Sequence, residues 1–253
     1  MLIDTIDIRD SAVLLDVDGT LLDIAATPLA VEVPPELKRA LHALCEQTIG
    51  ATAFVSGRPL TELDLLFDPL RLAAVAGHGA ELRVSGKAEP SEFDMPYDAR
   101  ISGDLRRRFA ALASALDGVI LEDKGYSLAL HYRLAPEHAE VVWKTVAAAC
   151  APYSSSSIEV LPGKQVIEVK FTAFNKGSGI RELMKHPPFY GRRPIFIGDD
   201  ITDETAFAVL PEFDGLGFSV GRKLSGVAGS FSTPHDVRQW LYRAAGIDGV
   251  GQP

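Results

Sequence analysis

The chain has 253 residues, 47% of them apolar and 23% charged, which is enough to bury one large core or a core with an inserted second unit. Its 25 Lys and Arg against 34 Asp and Glu give a formal net charge of −9, which argues against a general binder of nucleic acid or anionic membrane. Two cysteines, Cys45 and Cys150, make no disulfide framework and lack the spacing of a zinc site, so both read as small buried apolar residues.

The N-terminal MLIDTIDIRD carries acids and no basic leader, and no apolar run reaches the length of a membrane span, so the expectation is a cytoplasmic chain. Ser11 to Val17 is a short apolar run stopped by Gly19 and reads as a buried strand. Pro34 and Pro35 open a helix with Leu37, Leu41 and Leu44 at helical spacing, ended by Gly50. ATAFVS is a second buried strand, stopped by Ser56-Gly57-Arg58-Pro59. A further helix and the strand LAAVA lead to Gly77-His78-Gly79. Apolar strands alternating with helices predict an α/β unit with a parallel sheet.

The middle of the chain has a different rhythm. A helix over Leu105 to Leu116 precedes VILEDK and SLALHYR, a hairpin around Gly125. Leu128, Leu130 and Tyr132 share one face of its second strand, and Ala129, His131 and Arg133 the other. Arg106-Arg107-Arg108 reads as a solvated helix face. Pro136 to Ala149 is helical, and IEVLPGKQVIEVK is a second hairpin around Pro162-Gly163. Helix, hairpin, helix, hairpin is an α+β unit with an antiparallel sheet, expected as an insert over residues 100–172, with 1–99 and 173–253 forming the core. The α/β rhythm then resumes: a helix over Ser178 to Met184, a strand RPIFI, a helix over Thr202 to Leu210, a strand over Gly215 to Val220 and a last helix over Val237 to Ala245. A Gly-rich tail closes the chain and is expected to fray.

The distinctive polar clusters follow apolar strands: Asp16 and Asp18 after VLL, Ser56 after AFV, Asp199 and Asp200 after IFIG. In an open parallel sheet these are the carboxyl ends of strands, where ligands bind. Asp16 and Asp18 are two residues apart and can face one ligand. Four carboxylates in one place need a cation, and oxygen donors without His or Cys favour Mg²⁺. Mg²⁺ commonly shares a substrate phosphate. Lys176, in Asn175-Lys176-Gly177-Ser178 at a helix start, fits an anion there, and Ser56 with its neighbouring amides can hold a phosphate oxygen. A carboxylate can itself attack phosphorus.

In order and spacing, DVDGT, a Ser after an apolar strand, a Lys and GDDxTDE resemble the four-motif set of haloacid-dehalogenase-like (HAD) phosphohydrolases, spanning residues 16 to 203. The resemblance implies a Rossmann-like HAD core with a parallel sheet and an inserted α+β cap that selects the substrate. It implies that Asp16 is the nucleophile and Asp18 the general acid and then base, with Ser56 and Lys176 holding the phosphate. It places Mg²⁺ on Asp16, the main-chain carbonyl of Asp18, and Asp199, with Asp200 and Asp203 supporting that shell. Within this group VSGRP, AGHGAE, LEDKGYSLALHYR and GDDITDE resemble the trehalose-6-phosphate phosphatase family. That likeness implies that Glu122, Lys124 and Glu168 hold glucose hydroxyls, with Gly57, Arg58, His78, Gly79 and Glu81 lining the core side. One segment departs: where the family usually has Arg-Pro after the cap Glu and a Gly before the Lys motif, this chain reads EVKFTAFNKG.

The function expected is hydrolysis of trehalose 6-phosphate to trehalose and phosphate through an aspartyl phosphate, with a small-molecule sugar phosphate as substrate, no nucleic acid, no membrane, and a monomeric chain. A phosphatase of sucrose 6-phosphate or mannosyl-3-phosphoglycerate, or a sugar phosphotransferase or phosphomutase, stands as the alternative. A catalytically silent sensor has no need of both Asp16 and Asp18.

Overall fold

A computed structural model describes residues 2–24, 31–85, 91–92, 101–153, 157–163 and 165–247. Residues 248–253 of the tail expected to fray lie outside these residues. The chain divides into two compact units, Met1–Phe93 with Asn175–Pro253, and Asp94–Phe174.

In chain order the first unit begins with β1 (Ser11–Leu15), α1 (Pro35–Gln47), β2 (Thr52–Val55), α2 (Leu60–Phe67), β3 (Ala73–Ala76), β4 (Glu81–Arg83) and β5 (Ser91–Glu92). The second unit holds α3 (Gly103–Ala115), β6 (Ile120–Asp123), β7 (Ser127–His131), α4 (Ala139–Cys150), β8 (Ile158–Gly163) and β9 (Val166–Phe171). The first unit is completed by α5 (Lys176–Leu183), β10 (Arg193–Gly198), α6 (Glu204–Val209), β11 (Leu216–Val220), β12 (Gly229–Phe231) and α7 (Pro234–Ala244).

The first unit is a Rossmann-like α/β layer built on one sheet of order β12-β11-β10-β1-β2-β3-β4-β5. It is parallel from β12 to β3 and antiparallel at β3-β4-β5. Strands β1, β2 and β3 are buried at every position because helices cover both faces. Val13 and Leu15 of β1 pack with α1, α2 and α7 through Leu41, Leu63 and Trp240, while Ala12 and Leu14 pack with α5 and α6 through Ile180, Leu183 and Val209. β1 lies between β10 and β2, so the chain's order reverses at the β1/β10 pair. That switch point opens a crevice at the strands' carboxyl ends.

The second unit is α+β. Its antiparallel sheet has the order β6-β7-β9-β8, with α3 and α4 against one face through Leu105, Phe109, Val142 and Val146. The alternation expected for β7 places Leu128, Leu130 and Tyr132 in this core.

Three local readings change. The second hairpin turns after Gly163, which pairs with Val166, so Pro162 is inside β8 opposite Ile167. β8 is an edge strand, where a missing backbone donor is tolerated. Arg107 and Arg108 pair with Asp104 on the solvated helix face, but Arg106 donates to the Gly125 carbonyl (2.8 Å) and lies 3.4 Å from Asp123, tying α3 to the hairpin. Strands β4, β5 and β12 were not expected; each has three residues or fewer. Both cysteines are free and partly rather than fully buried, with thiol pKa values pushed up by burial. No helix among the described residues is long and apolar enough to cross a membrane.

Candidate active site

The crevice residues are delivered by strand ends and one helix start. β1 stops at Leu15, and the Asp16 amide donates to the Ile197 carbonyl of β10 (2.9 Å), which fixes Asp16 at the switch point. The chain then turns at Gly19, whose φ is +80°; a Cβ there would lie 2.2 Å from Asp199 Oδ2. Only glycine fits that conformation and that approach without strain. Thr20 follows and donates from Oγ1 to Asp199 Oδ1 (3.1 Å).

Lys176 opens α5. Asn175 caps the helix by accepting from the Ser178 amide (2.9 Å), and Ser178 Oγ accepts from the Asn175 amide (3.1 Å), a reciprocal capping box. The next residue, Gly177, lets α5 press against α6: a Cβ there would meet the Thr205 carbonyl oxygen at 2.2 Å. The result is a lysine ammonium held almost wholly inside the protein. Lys176 Nζ donates to Asp16 Oδ1 (2.7 Å) and Asp203 Oδ1 (2.6 Å), with exposures of 3%, 5% and 0% for the three side chains.

Asp16, Asp199 and Asp203 each offer a carboxylate oxygen, and the three oxygens lie within 4.8 Å of one another. Burial pushes the Asp16 carboxyl up to about 6, with Lys176 pulling it back. Asp203 is pushed up to about 6 by burial and by the Asp16 charge, and Asp199 is raised mainly by burial. Burial opposes the Lys176 charge, but the Asp16 and Asp203 carboxylates outweigh it and hold Lys176 above its ordinary value. Asp16 Oδ2 is buried and has no hydrogen-bond partner among the described residues. A donor set of three converging carboxylates, all oxygen, fits a hard divalent cation.

The other expected residues divide into groups. Asp18, 40% exposed, is gripped by Arg58 through two 2.6 Å bonds, Nε to Oδ2 and Nη2 to Oδ1. Arg58 also reaches Glu62 Oε2 at 3.1 Å. Asp200 turns away from the cluster and accepts from the Ile201 amide (2.6 Å), while its own amide donates to Asp203 Oδ2 (2.9 Å). Ser56 is buried at the end of β2, where its Oγ accepts from the Arg58 amide (3.1 Å). A Cβ on Gly57 would lie 2.4 Å from the His78 ring, so the two share one small space. His78 has φ +54° and Gly79 φ +97° in the turn after β3. Glu81 accepts from the Leu60 amide at the start of α2 (3.0 Å).

In the second unit Glu122 and Glu168 flank Ala129 across β6, β7 and β9. Lys124 Nζ lies 3.8 Å from Glu122 Oε1 and 3.7 Å from Glu168 Oε1.

Several partners escaped the sequence reading. Thr20 stood inside DVDGT, and Glu62 is one helical turn after Arg58, a spacing that flags an ion pair. Arg222, in the turn after β11, donates from Nε to the Asp199 carbonyl (2.8 Å) and from Nη1 to Glu204 (3.1 Å); nothing local in the sequence marks it.

The fold is shared by a solved phosphatase of the haloalkanoate (HAD) superfamily from Bacteroides thetaiotaomicron, similar with a TM-score of 0.60 at 16% identity over 94% of this chain and 95% of that one. A solved C-terminal domain of the Candida albicans trehalose-6-phosphate phosphatase is similar with a TM-score of 0.71 at 24% identity, over 94% of this chain and 93% of that one. Two sequence relatives carry the likeness further. A probable trehalose-phosphate phosphatase of Sinorhizobium fredii is 37% identical over 85% of this chain and 79% of its own length. The trehalose-6-phosphate phosphatase of Escherichia coli is 34% identical over 89% and 83%. The profile of the trehalose-phosphatase family matches residues 14–236. The chain belongs to the trehalose-phosphatase family and is a phosphoric monoester hydrolase.

Proposed function

We propose that this enzyme hydrolyses trehalose 6-phosphate to trehalose and phosphate, with Mg²⁺, through a phosphorylated Asp16. The observation that carries the chemistry is the state of Asp16: buried, held on Oδ1 by Lys176, with Oδ2 left without a partner. A carboxylate fixed on one oxygen and bare on the other is set up as a nucleophile. The substrate follows from the family and from the relatives named for this activity.

Asp16, the main-chain carbonyl of Asp18, and Asp199 would hold the metal ion, with Asp200 and Asp203 orienting that set. The ion would offset charge on the transferring phosphoryl oxygens. Asp16 Oδ2 attacks phosphorus; its bond to phosphorus forms as the bond to the sugar oxygen breaks. Asp18 gives its proton to that oxygen, then accepts one from the water that cleaves the acyl phosphate. Ser56 and Lys176 hold the phosphoryl oxygens. Glu122, Lys124 and Glu168 accept from and donate to glucose hydroxyls, while Gly57, Arg58, His78, Gly79 and Glu81 line the substrate's path on the first unit. Arg58 occupies both oxygens of Asp18 in this structure, so it must release one of them before Asp18 can carry the proton.

Acid-quenching the enzyme during turnover tests the reading. A phosphorylated peptide containing Asp16 is the expected product, and Asp16→Asn is expected to fold normally, turn over nothing and trap nothing. Turnover at the wild-type rate by Asp16→Asn rejects the assignment.

A further inference from the structure

The face of the antiparallel sheet opposite α3 and α4 carries more polar side chains than the proposed sugar contacts use. On β7 the residues that share a face with Ala129 are Ser127 and His131, two positions before and after it. Ser127, fully buried, donates from Oγ to Glu168 Oε1 (2.7 Å). His131 Nε2–H donates to Glu122 Oε2 (2.9 Å). With Lys124 close to both glutamates, five side chains form one run: Ser127, Glu168, Lys124, Glu122, His131. The contacts of Glu168 with Ser127 and Lys124 both fall on Oε1.

A glutamate side chain has three rotatable bonds and, left unanchored, samples many orientations, so gripping a neutral sugar costs ordering entropy. Anchoring one oxygen of each glutamate removes much of that cost and aims the other oxygen outward. The anchors differ in exposure. Ser127 has no water to compete for its hydroxyl, while His131 is 41% exposed and holds Glu122, itself 44% exposed.

We propose that Ser127 and His131 are positioning residues for sugar recognition: they fix the carboxylates of Glu168 and Glu122 so that the face presents a preset row of acceptors around the Lys124 ammonium, suited to the hydroxyls of a neutral hexose. The inference rests on the reading that Glu122, Lys124 and Glu168 hold the sugar. It gives a use to His131, which no proposed catalytic step needs.

The test compares KM and kcat of the full chain with Mg²⁺ for trehalose 6-phosphate and for p-nitrophenyl phosphate, which has no sugar. His131→Ala and Ser127→Ala are expected to raise KM for trehalose 6-phosphate about five- to tenfold with kcat nearly unchanged, and to leave KM for the aryl phosphate alone. His131→Gln, which keeps a donor at similar reach, is expected to recover most of the loss. His131→Ala is expected to add little in a Glu122→Gln background. Unaltered KM in both alanine variants overturns the proposal, and so does an equal rise for both substrates, which marks a general structural effect. Should Ser127→Ala fail to fold, the exposed His131 pair decides alone. If Glu122→Gln raises KM and His131→Ala does not, this inference fails and the substrate reading stands. If the wild type releases no phosphate from any sugar phosphate, both fail.

Discussion

Lys176→Met in the metal-free enzyme is a quantitative probe of the buried cluster. In the wild type, Asp16 and Asp203 titrate near 6 against an ordinary 3.8, both pushed up first by burial. A raised carboxyl pKa means the native state binds more protons than the unfolded state between those values, so stability falls as pH rises from about 4 to about 6 and is flat above. Removing Lys176 takes away the cation that lets these carboxylates ionise inside the protein, and both then stay protonated to higher pH. The variant therefore keeps losing about 1.36 kcal/mol per pH unit per carboxylate where the wild type no longer does. Between pH 6 and 7.5 the gap in stability between the two widens by about 2 kcal/mol if one carboxylate behaves so, and about 4 if both do. At about 2–4 °C per kcal/mol for a chain of this size, the difference in Tm grows by about 4–16 °C over that interval. Thermal unfolding in EDTA, followed by circular dichroism at each pH, measures it. A Tm difference that is the same at pH 6 and pH 7.5 refutes the electrostatic account of the cluster.

Mg²⁺ must displace the same protons, so its affinity, measured by calorimetry, is expected to weaken about tenfold or more between pH 7.5 and 5, with proton release that grows as pH falls. Gly177→Ala drives a Cβ to 2.2 Å from the Thr205 carbonyl, so α5 must shift; a loss of about 1–3 kcal/mol in urea unfolding and a lower kcat are expected, since Lys176 moves with the helix. Arg83 is 1% exposed and donates to the Leu72 carbonyl (2.9 Å) and to Asp64 Oδ2 (2.9 Å). Arg83→Met is expected to cost about 3 kcal/mol, the low end for a broken buried pair, because Arg71 still reaches Asp64 at 2.8 Å; no loss at all would mean that the pair contributes nothing.

The sequence made the long apolar elements legible because they carry their own signal. Residues 12–15, 53–55, 73–76 and 194–197 are continuous apolar runs within β1, β2, β3 and β10, and β7 alternates. The short strands carry none. β4 is Glu-Leu-Arg, and its Arg83 is buried only because Asp64 and the Leu72 carbonyl receive it, partners set by the tertiary fold. β12 is Gly-Ser-Phe and pairs because β11 is already in place beside it. Pro162 read as a turn because proline and glycine together mark one; only the place of β8 at the sheet edge lets it sit in a strand.

In the site, strand-end motifs located Asp16 and Asp199, and a helix-start motif located Lys176. They did not tell which carboxylates would converge. Asp203 joins the cluster while Asp200 faces its own turn, a choice made by the capping bonds between those two residues. Nor could sequence spacing reveal that Arg58 reaches across from the end of β2 to hold Asp18, forty residues away.

The expected activity is hydrolysis of trehalose 6-phosphate that depends on the metal. Phosphate release measured for trehalose 6-phosphate, sucrose 6-phosphate, mannosyl-3-phosphoglycerate and a hexose 6-phosphate, each with Mg²⁺ and with EDTA, tests it. The expected result is a kcat/KM for trehalose 6-phosphate at least about tenfold above the others, lost with the chelator. Faster turnover of another sugar phosphate, or full turnover in EDTA, would contradict it.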